Sequence, residues 1–167
     1  MQNIKTWLKG FWPAPMAISL KERVLSCVGA VLGLLFSSWL CHEVLGSGSP
    51  WLIAPMGASA VLMFALPASP LAQPWSIIGG NLISALIGVT CATWFGHDAW
   101  VAVLAGGLAI AAMFTLRCLH PPGGAVALTA VLAGPEVAQL GYHFALYPVG
   151  LNSIGLLLIA LLFNNAL

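Results

Sequence analysis

Residues 116–125 read Leu116-Arg117-Cys118-Leu119-His120-Pro121-Pro122-Gly123-Gly124-Ala125. Two consecutive prolines remove two backbone donors and push the preceding residue towards extended geometry, so a regular helix cannot continue through this stretch. A helix can begin again at Pro122, because proline suits the first turn, where its missing N–H would be unpaired anyway. We base the fold prediction on this break in an otherwise apolar part of the chain.

A second copy of the break lies 67 residues earlier in the chain. The segments Pro55-Met56-Gly57-Ala58-Ser59-Ala60 and Pro122-Gly123-Gly124-Ala125-Val126-Ala127 both follow the pattern Pro-x-Gly-Ala-x-Ala. Each copy lies between two long apolar runs, and an asparagine follows in the second run, Asn81 or Asn152. We interpret this as an internal duplication with halves at about 24–95 and 99–163, a design that recurs in transporters with broken helices.

The composition indicates that the surface faces lipid. Of the 167 residues, 60% are hydrophobic and 5% are charged, whereas a soluble domain has about 25% charged residues. Four runs approach the length needed to cross the hydrocarbon core as a helix: Val24–Leu45, Trp75–Phe95, Ala99–Thr115 and Leu146–Phe163. Pro55–Leu66 and Pro122–Ala133 have 12 residues each, which is about 18 Å of helix.

Two topologies fit these lengths. If the short helices cross, each half crosses three times and the halves are inverted; if they are re-entrant, each half crosses twice and the halves are parallel. We favour an all-α polytopic membrane protein with about four full transmembrane helices plus two short half-membrane helices. Either topology puts both termini on one side of the membrane.

The distribution of basic residues orients the chain. Four of the five basic residues precede the first apolar run, so the positive-inside rule places both termini in the cytoplasm. We take residues 1–23 as a cytoplasmic or interfacial segment and residues 24–167 as one transmembrane domain. The expected location is a bacterial inner membrane.

The break at 116–125 also predicts a binding site. Irregular backbone at membrane depth must line a cavity or be buried in protein. A helix that begins at Pro122 directs free N–H groups and about half a positive charge towards the break, and the copy at Pro55 supplies a second such terminus. Arg117 and His120 add one fixed and one titratable positive group. This combination favours a small anion between the two helix N-termini.

The candidate binding residues lie on the two breaks, beside them and in the apolar runs that follow: Pro55, Gly57, Ala58, Ser59, Asn81, Arg117, His120, Pro121, Pro122, Gly123, Gly124, Ala125 and Asn152. Each type of residue also has a structural interpretation. Arg117 could extend to the interface, His120 could only stabilise the break, and the glycines and asparagines could serve helix packing and interhelical hydrogen bonds.

Other functions have little support in the sequence. We find no credible nucleophile or acid–base pair for an enzyme, no ligand spacing for a metal, and no basic patch for nucleic acid. The four cysteines form no Cys-x-x-Cys pair and are interpreted as apolar packing residues. We expect no cofactor; the expected partners are the anion, the lipid bilayer and, plausibly, a second copy of the chain.

These motifs resemble a known family. The segment His120–Ala125 is similar to the signature of the HPP family of integral membrane proteins. Three stretches of the first half, Ala54–Leu62, Ala68–Pro74 and Gly79–Asn81, are similar to the family's other shared region. The resemblance covers nearly the whole chain from about Val24 onward.

The resemblance implies a protein with four membrane spans, and it implies transport of nitrite, with which plant chloroplast and cyanobacterial members are associated. The family commonly has histidine where Asn81 stands, so a proton-coupling role at this position is in doubt. Bacterial relatives often have C-terminal tandem CBS domains, and we expect this part to be absent or removed here. The leading hypothesis is an anion transporter or channel, nitrite favoured; the alternative is a membrane sensor or anchor module that signals to a partner or to such a domain.

Overall fold

The computed structural model describes Phe11 and residues 18–45 and 52–166, and these residues form an all-helical structure. Its helices are α1 (Leu20–Leu45), α2 (Pro55–Ala65), α3 (Pro74–Phe95), α4 (Ala99–Thr115), α5 (Pro121–Leu132), α6 (Pro135–Leu140) and α7 (Leu151–Ala166), with a 3-10 turn at Pro70–Ala72 and a kinked π-type segment at Ala145–Gly150. The prediction of an all-α fold is confirmed. Most of the predicted interfacial segment 1–23 lies outside the described residues.

The helix lengths agree with a polytopic membrane protein. Three segments are long and apolar enough to cross a membrane: Leu20–Glu43, Pro74–Phe95 and Ala145–Ala166. Helix α4 has 17 residues, at the short end of the range of about 17–25 for a transmembrane helix. The short helices α2 and α5 have 11 and 12 residues, close to the predicted bounds.

Prolines and one capping box set the helix starts. Helices α2, α3, α5 and α6 all begin with proline in the first turn, where no backbone donor is lost. Helix α1 begins at Leu20, four residues before the predicted run, because Ser19 and Glu22 form a capping box. The Ser19 N–H donates to Glu22 Oε2 at 2.7 Å and the Glu22 N–H donates to Ser19 Oγ at 3.2 Å.

Two further elements differ from the sequence interpretation. The stretch between the predicted helices Pro122–Ala133 and Leu146–Phe163 contains α6. The predicted span Leu146–Phe163 is interrupted, since Tyr147 has the non-helical angles φ −134° and ψ 111° and Pro148 follows it. Pro148 has no N–H to donate within a helix, and its ring disfavours helical geometry at the residue before it. The last membrane segment is therefore a kinked Ala145–Gly150 followed by α7.

One end of the molecule, which we call the basic end, includes Lys21, Arg23 and Arg117. Lys21, Phe64 and Asn164 line one cavity, which brings the start of α1 together with the ends of α2 and α7. The Trp75 Nε1–H donates to the Leu116 carbonyl oxygen at 3.1 Å. This bond places the start of α3 and the end of α4 together.

The opposite end, which we call the acidic end, includes Asp98 and Glu136. His97, just after α3, forms a 2.8 Å hydrogen bond through Nδ1 with the carbonyl oxygen of Val131 near the end of α5. Residues 52–54, at the start of α2, share a cavity with Leu132 and Glu136. The start of α2, the end of α3 and the end of α5 therefore meet at this end.

Consecutive membrane helices alternate in direction, and each short helix connects the two ends. Helix α2 runs from the acidic to the basic end, and α5 runs the other way. The two short helices thus run in opposite directions, as in inverted halves. Residues outside the helix supply part of the distance between the ends, since Cys118 and His120 are fully buried before α5 begins.

The helix contacts agree with a duplication. In the second half, α4 packs on its own short helix α5 and on α3 of the first half. In the first half, α1 packs on its own short helix α2 and on α7 of the second half, so α4 and α1 occupy equivalent positions. The most extensive helix pair is α3 with α5. A methyl group on Gly88 of α3 would lie 2.6 Å from the Ala127 carbonyl oxygen, and one on Gly80 would lie 2.7 Å from the Cβ atom of His120. Small residues permit this close approach.

Candidate functional site

The chain reverses at the end of α4 through a left-handed residue. Arg117 has φ 55°, and its N–H bonds to the Phe114 carbonyl oxygen at 3.3 Å. The Cys118 N–H reaches back to the Met113 carbonyl oxygen at 2.9 Å. This is a Schellman motif, which satisfies the last carbonyl groups of the helix. The motif turns the chain inwards, so that His120 enters the protein interior.

His120 connects three parts of the structure. Its Nδ1 atom lies 2.8 Å from the Leu71 carbonyl oxygen, and its Nε2 atom lies 2.9 Å from the Ser59 hydroxyl. Because a carbonyl oxygen only accepts, Nδ1 carries a hydrogen, and in the neutral ring Nε2 accepts from Ser59. The side chain is fully buried. Both ring nitrogens are thus used to join the start of α5 to α2 and to the Pro70–Ala72 turn, which favours the stabilising role for this residue.

Arg117 lies outside this buried region. Its residue is exposed, and it belongs to the basic end together with Lys21 and Arg23. Arg117 therefore lies at the surface, apart from the buried ring of His120, and its role as a fixed charge of the site stays a prediction. The physical reason is the left-handed turn, which directs the chain between Arg117 and His120 from the surface into the core.

The two short helices do not direct their N-termini at each other. The start of α2 lies near the end of α5, and the start of α5 lies beside Ser59, in the second turn of α2. The N–H groups of Met56 and Gly57 already donate to the carbonyl oxygens of Ile53 and Ala54. The expectation that a small anion lies between two facing N-termini is therefore corrected, because the two helices are antiparallel.

The remaining break residues divide between the interior and the surface. A methyl group on Gly123 would lie 2.8 Å from Ser84 Oγ and 2.9 Å from the Gly80 carbonyl oxygen, so Gly123 serves helix packing. Gly57 and Gly124 have nothing within 4 Å of an added methyl group. Pro55 and Pro122 are buried, whereas three further residues are exposed: Ala58, Pro121 and Ala125.

The two predicted asparagines are fully buried and join different helices. The Asn81 Nδ2 group of α3 donates to Ser153 Oγ of α7 at 3.0 Å, and Asn81 Oδ1 has no hydrogen-bond partner. In α7, Asn152 Oδ1 accepts from Ser37 Oγ of α1 at 2.6 Å, and its Nδ2 group donates to the Pro148 carbonyl oxygen at 3.0 Å. A buried polar atom without a partner is costly, so the Asn81 oxygen needs an explanation.

Sequence reasoning missed three parts of this polar region. Ser37 and Ser153 are fully buried, and each forms a hydrogen bond with an asparagine of another helix. The third is the break in the Ala145–Gly150 segment, which places the start of α7 at the level of Asn81. Pro148 and Gly150, two residues apart inside an apolar run, were the available signal for this break. Single serines in apolar helices give no comparable signal.

The buried polar groups are neutral or titratable to a cation. They comprise serine hydroxyls, two carboxamides and one imidazole: Ser37, Ser59, Ser76, Ser84, Ser153, Asn81, Asn152 and His120. The structure describes all four carboxylate residues of the chain, and all of them are exposed: Glu22, Glu43, Asp98 and Glu136. The interior therefore offers hydroxyl, amide and imidazole groups for hydrogen bonding, and no carboxylate that would attract a cation.

Comparison with known proteins agrees with this architecture. The family described as "HPP, transmembrane region" matches residues 15–167. Two transmembrane proteins of Dictyostelium discoideum are each 34% identical to the chain over 99% of its length, and the matches cover 54% and 60% of those proteins. The chain thus spans little more than half the length of these curated relatives. No solved structure matches the chain. The family match covers the short helices, the breaks and the buried asparagines together, and the chain belongs to the HPP family of membrane proteins.

Proposed function

We propose that this protein transports a small inorganic anion across the membrane, with nitrite favoured. The proposal depends mainly on one observation, the buried Asn81–Ser153 pair between α3 and α7 with an unpaired carboxamide oxygen. Polar groups inside membrane helices are rare and generally mark a solute pathway. In transporters with inverted repeats, the solute binds near the bilayer midplane where the repeats meet, and α3 and α7 belong to different halves.

The chemistry of the pair suits an anion. The Ser153 hydroxyl can either accept or donate a hydrogen bond, so the Asn81 carboxamide can turn over and present its NH₂ group in place of its oxygen. Two N–H donors would then face an incoming acceptor. The absence of a buried carboxylate among the described residues removes the groups that sodium- and proton-coupled cation sites normally use. Nitrite, with one charge and acceptor oxygens, fits such a donor set.

The distribution of charge supports a membrane orientation. Lys21, Arg23 and Arg117 belong to the basic end, whereas Asp98 and Glu136 belong to the opposite end. The positive-inside rule therefore assigns the basic end to the cytoplasm. Since α1 begins and α7 ends at the basic end, this proposal puts both termini of the membrane region in the cytoplasm, in a bacterial inner membrane. The same positive charges would attract anions to the cytoplasmic face.

Nitrite flux into proteoliposomes tests the function. Asn81→Leu replaces the carboxamide by an apolar group of similar size and should abolish flux. Thr115→Val is the control, because Thr115 is exposed and lines neither cavity, and its hydroxyl donates to the Ala111 carbonyl oxygen of its own helix at 2.9 Å. Its flux should equal that of the parent protein. Equal flux in the two variants would refute the assignment of Asn81, and no flux above that of empty liposomes would refute nitrite transport.

The alternative function is a sensor or anchor module. One observation favours it: in the two Dictyostelium proteins the matched region is joined to further sequence, since it covers 54% and 60% of their lengths. Such a module would bind the anion without moving it. Saturable nitrite binding to the purified protein by calorimetry, combined with no flux in proteoliposomes, would favour this function over transport.

A further inference from the structure

A first cavity opens at the basic end. It has a volume of about 180 Å³ and lies between the end of α2, the start of α3 and the last turns of α7. Gln73, Asn164 and Asn165 provide three neutral carboxamides to its lining. Pro74 of α3 and Leu157 of α7 also line it. A small polar solute could therefore enter here without meeting a charged group in the lining.

A second cavity opens at the acidic end. It has a volume of about 260 Å³ and lies between the last turns of α3, α5 and the end of α6. Thr93 and His97 provide its polar side chains, and Ala92 lines it from α3. The nearby carboxylates Asp98 and Glu136 do not belong to this lining. The two cavities thus share a neutral or basic polar character.

The Asn81–Ser153 pair lies between these cavities on the same helix faces. With 100° per residue, Pro74, Asn81 and Ala92 point within about 20° of one another on α3, and Pro74 lines the first cavity while Ala92 lines the second. On α7, Leu157 is one turn beyond Ser153 towards the basic end. The pair is therefore reached from the first cavity along α3 and α7. On the way to the second cavity, Gly88 lies on the same face of α3 and packs on Ala127 of α5, which closes the path in this structure.

We propose that the Asn81–Ser153 hydrogen bond is the constriction of a permeation path for a small anion, with the two cavities as its vestibules. Ser153 thereby receives a role in the path that the sequence did not suggest. This inference rests on the proposed transport function and specifies its route. The unpaired Asn81 oxygen fits a carboxamide that changes partners as the path opens, because its energetic cost is then offset when the solute or water arrives.

The interrupted segment Ala145–Gly150 closes the path on the side of the acidic end. It packs on α3 beside the pair, since a methyl group on Gly150 would lie 3.3 Å from Leu82. A segment with a non-helical residue beside a proline has fewer helical hydrogen bonds to hold it. Its displacement from α3, together with that of α5 from Gly88, would join the acidic-end cavity to Asn81.

Cysteine labelling in oriented membrane vesicles tests the route without any transported solute. The parent variant is Cys27→Ser, since Cys27 is exposed and the other three cysteines are buried. Asn164→Cys and Thr93→Cys each place a thiol at an exposed position in one cavity. A membrane-impermeant methanethiosulfonate reagent should modify Asn164→Cys only from the cytoplasmic face and Thr93→Cys only from the opposite face. Modification of both from the same face would overturn the proposed path.

Removal of the constriction provides the second measurement. Asn81→Ala combined with Ser153→Ala should raise the rate at which Thr93→Cys is modified from the cytoplasmic face by about tenfold, as for a barrier lowered by about 1.4 kcal/mol. Ser37→Ala is the matched control, because it removes a fully buried serine that bonds α7 from α1. The control should leave the rate unchanged. No increase in the double variant, or an equal increase in the control, would contradict the constriction.

The two proposals fail in different ways. If the labelling pattern is as expected but nitrite does not move, the route stands and the solute is another small anion, which chloride, nitrate and formate fluxes would identify. If nitrite moves but labelling is the same from both faces, transport stands and the route through Asn81 and Ser153 is wrong.

Discussion

The close contact between α3 and α5 gives the sharpest prediction, through the substitution Gly88→Ala. The added methyl group would lie 2.6 Å from the Ala127 carbonyl oxygen, 2.7 Å from Ala130 Cβ and 3.0 Å from Ala127 Cα. Ordinary van der Waals contact begins at 3.4 Å, so the helices must separate by about 0.8 Å. The obstructing atoms belong to backbone or Cβ positions and cannot rotate away.

The magnitude follows from two opposing effects. Overpacking a close-packed interior costs about 1–3 kcal/mol, and replacing glycine by alanine in a helix returns up to about 1 kcal/mol. We expect Gly88→Ala to lower the free energy of unfolding by about 1–2 kcal/mol, or the midpoint of thermal unfolding by about 2–8 °C. The measurement is thermal or chemical unfolding in detergent, followed by circular dichroism or tryptophan fluorescence.

Gly107→Ala is the control for this prediction. Gly107 lies in the middle of α4, is exposed, and has nothing within 4 Å of an added methyl group. Only the gain in helix propensity should remain, which is about 1 kcal/mol at most. The unfolding midpoint of Gly107→Ala should therefore stay the same or rise by a few degrees. If Gly88→Ala gained as much stability as Gly107→Ala, the close packing of α3 on α5 would be refuted.

Three further predictions concern the break and the polar pair. Arg117→Gly should raise the free energy of unfolding by about 1 kcal/mol, because glycine adopts the left-handed geometry at φ 55° without the cost that a side chain imposes; Arg117→Ala, which keeps the cost, should give no gain in the same unfolding assay. Ser59→Ala should lower the free energy of unfolding by about 1–3 kcal/mol, because the substitution leaves the buried Nε2 atom of His120 without a partner. Ser69→Ala, at a part-buried turn, is the comparison, and an equal loss of stability there would contradict the role of Ser59. Asn81→Leu should retain or raise the unfolding midpoint while flux is lost, since it removes the unpaired buried oxygen; a large loss of stability would show that Asn81 is mainly structural.

The helices themselves could be predicted closely from the sequence. The apolar runs between prolines predicted both ends of α2, α3, α4 and α5 to within one residue. The reason is that the missing N–H and the fixed φ of proline restrict where a helix can start. Helix α6 was not predicted, and the two errors in the predicted helices have local causes. The capping box of Ser19 and Glu22 extends α1 towards the N-terminus, and Pro148 interrupts a run that hydrophobicity alone presents as continuous.

The candidate site was only partly predictable for a different reason. Asn81, Asn152 and His120 were recognised because ionisable or carboxamide groups at membrane depth are costly, whatever the fold. Their partners were not recognisable, because Ser37 lies 115 residues from Asn152, and Ser153 lies 72 residues from Asn81. Which serine among many meets an asparagine depends on how the helices pack.

The sequence by itself determined that this is an all-helical membrane protein with two proline–glycine breaks, because lipid removes the need for charged surface and proline forbids helix continuation. Only the tertiary structure decided what the breaks do. Packing of α5 against α3 made Gly123 a contact residue. Ser59 of α2 and the Leu71 carbonyl group hold both nitrogens of His120, and the left-handed turn leaves Arg117 at the surface. The direction of the short helices is likewise a tertiary property, because helix length sets how far a segment reaches, whereas its neighbours set which end of the molecule it reaches.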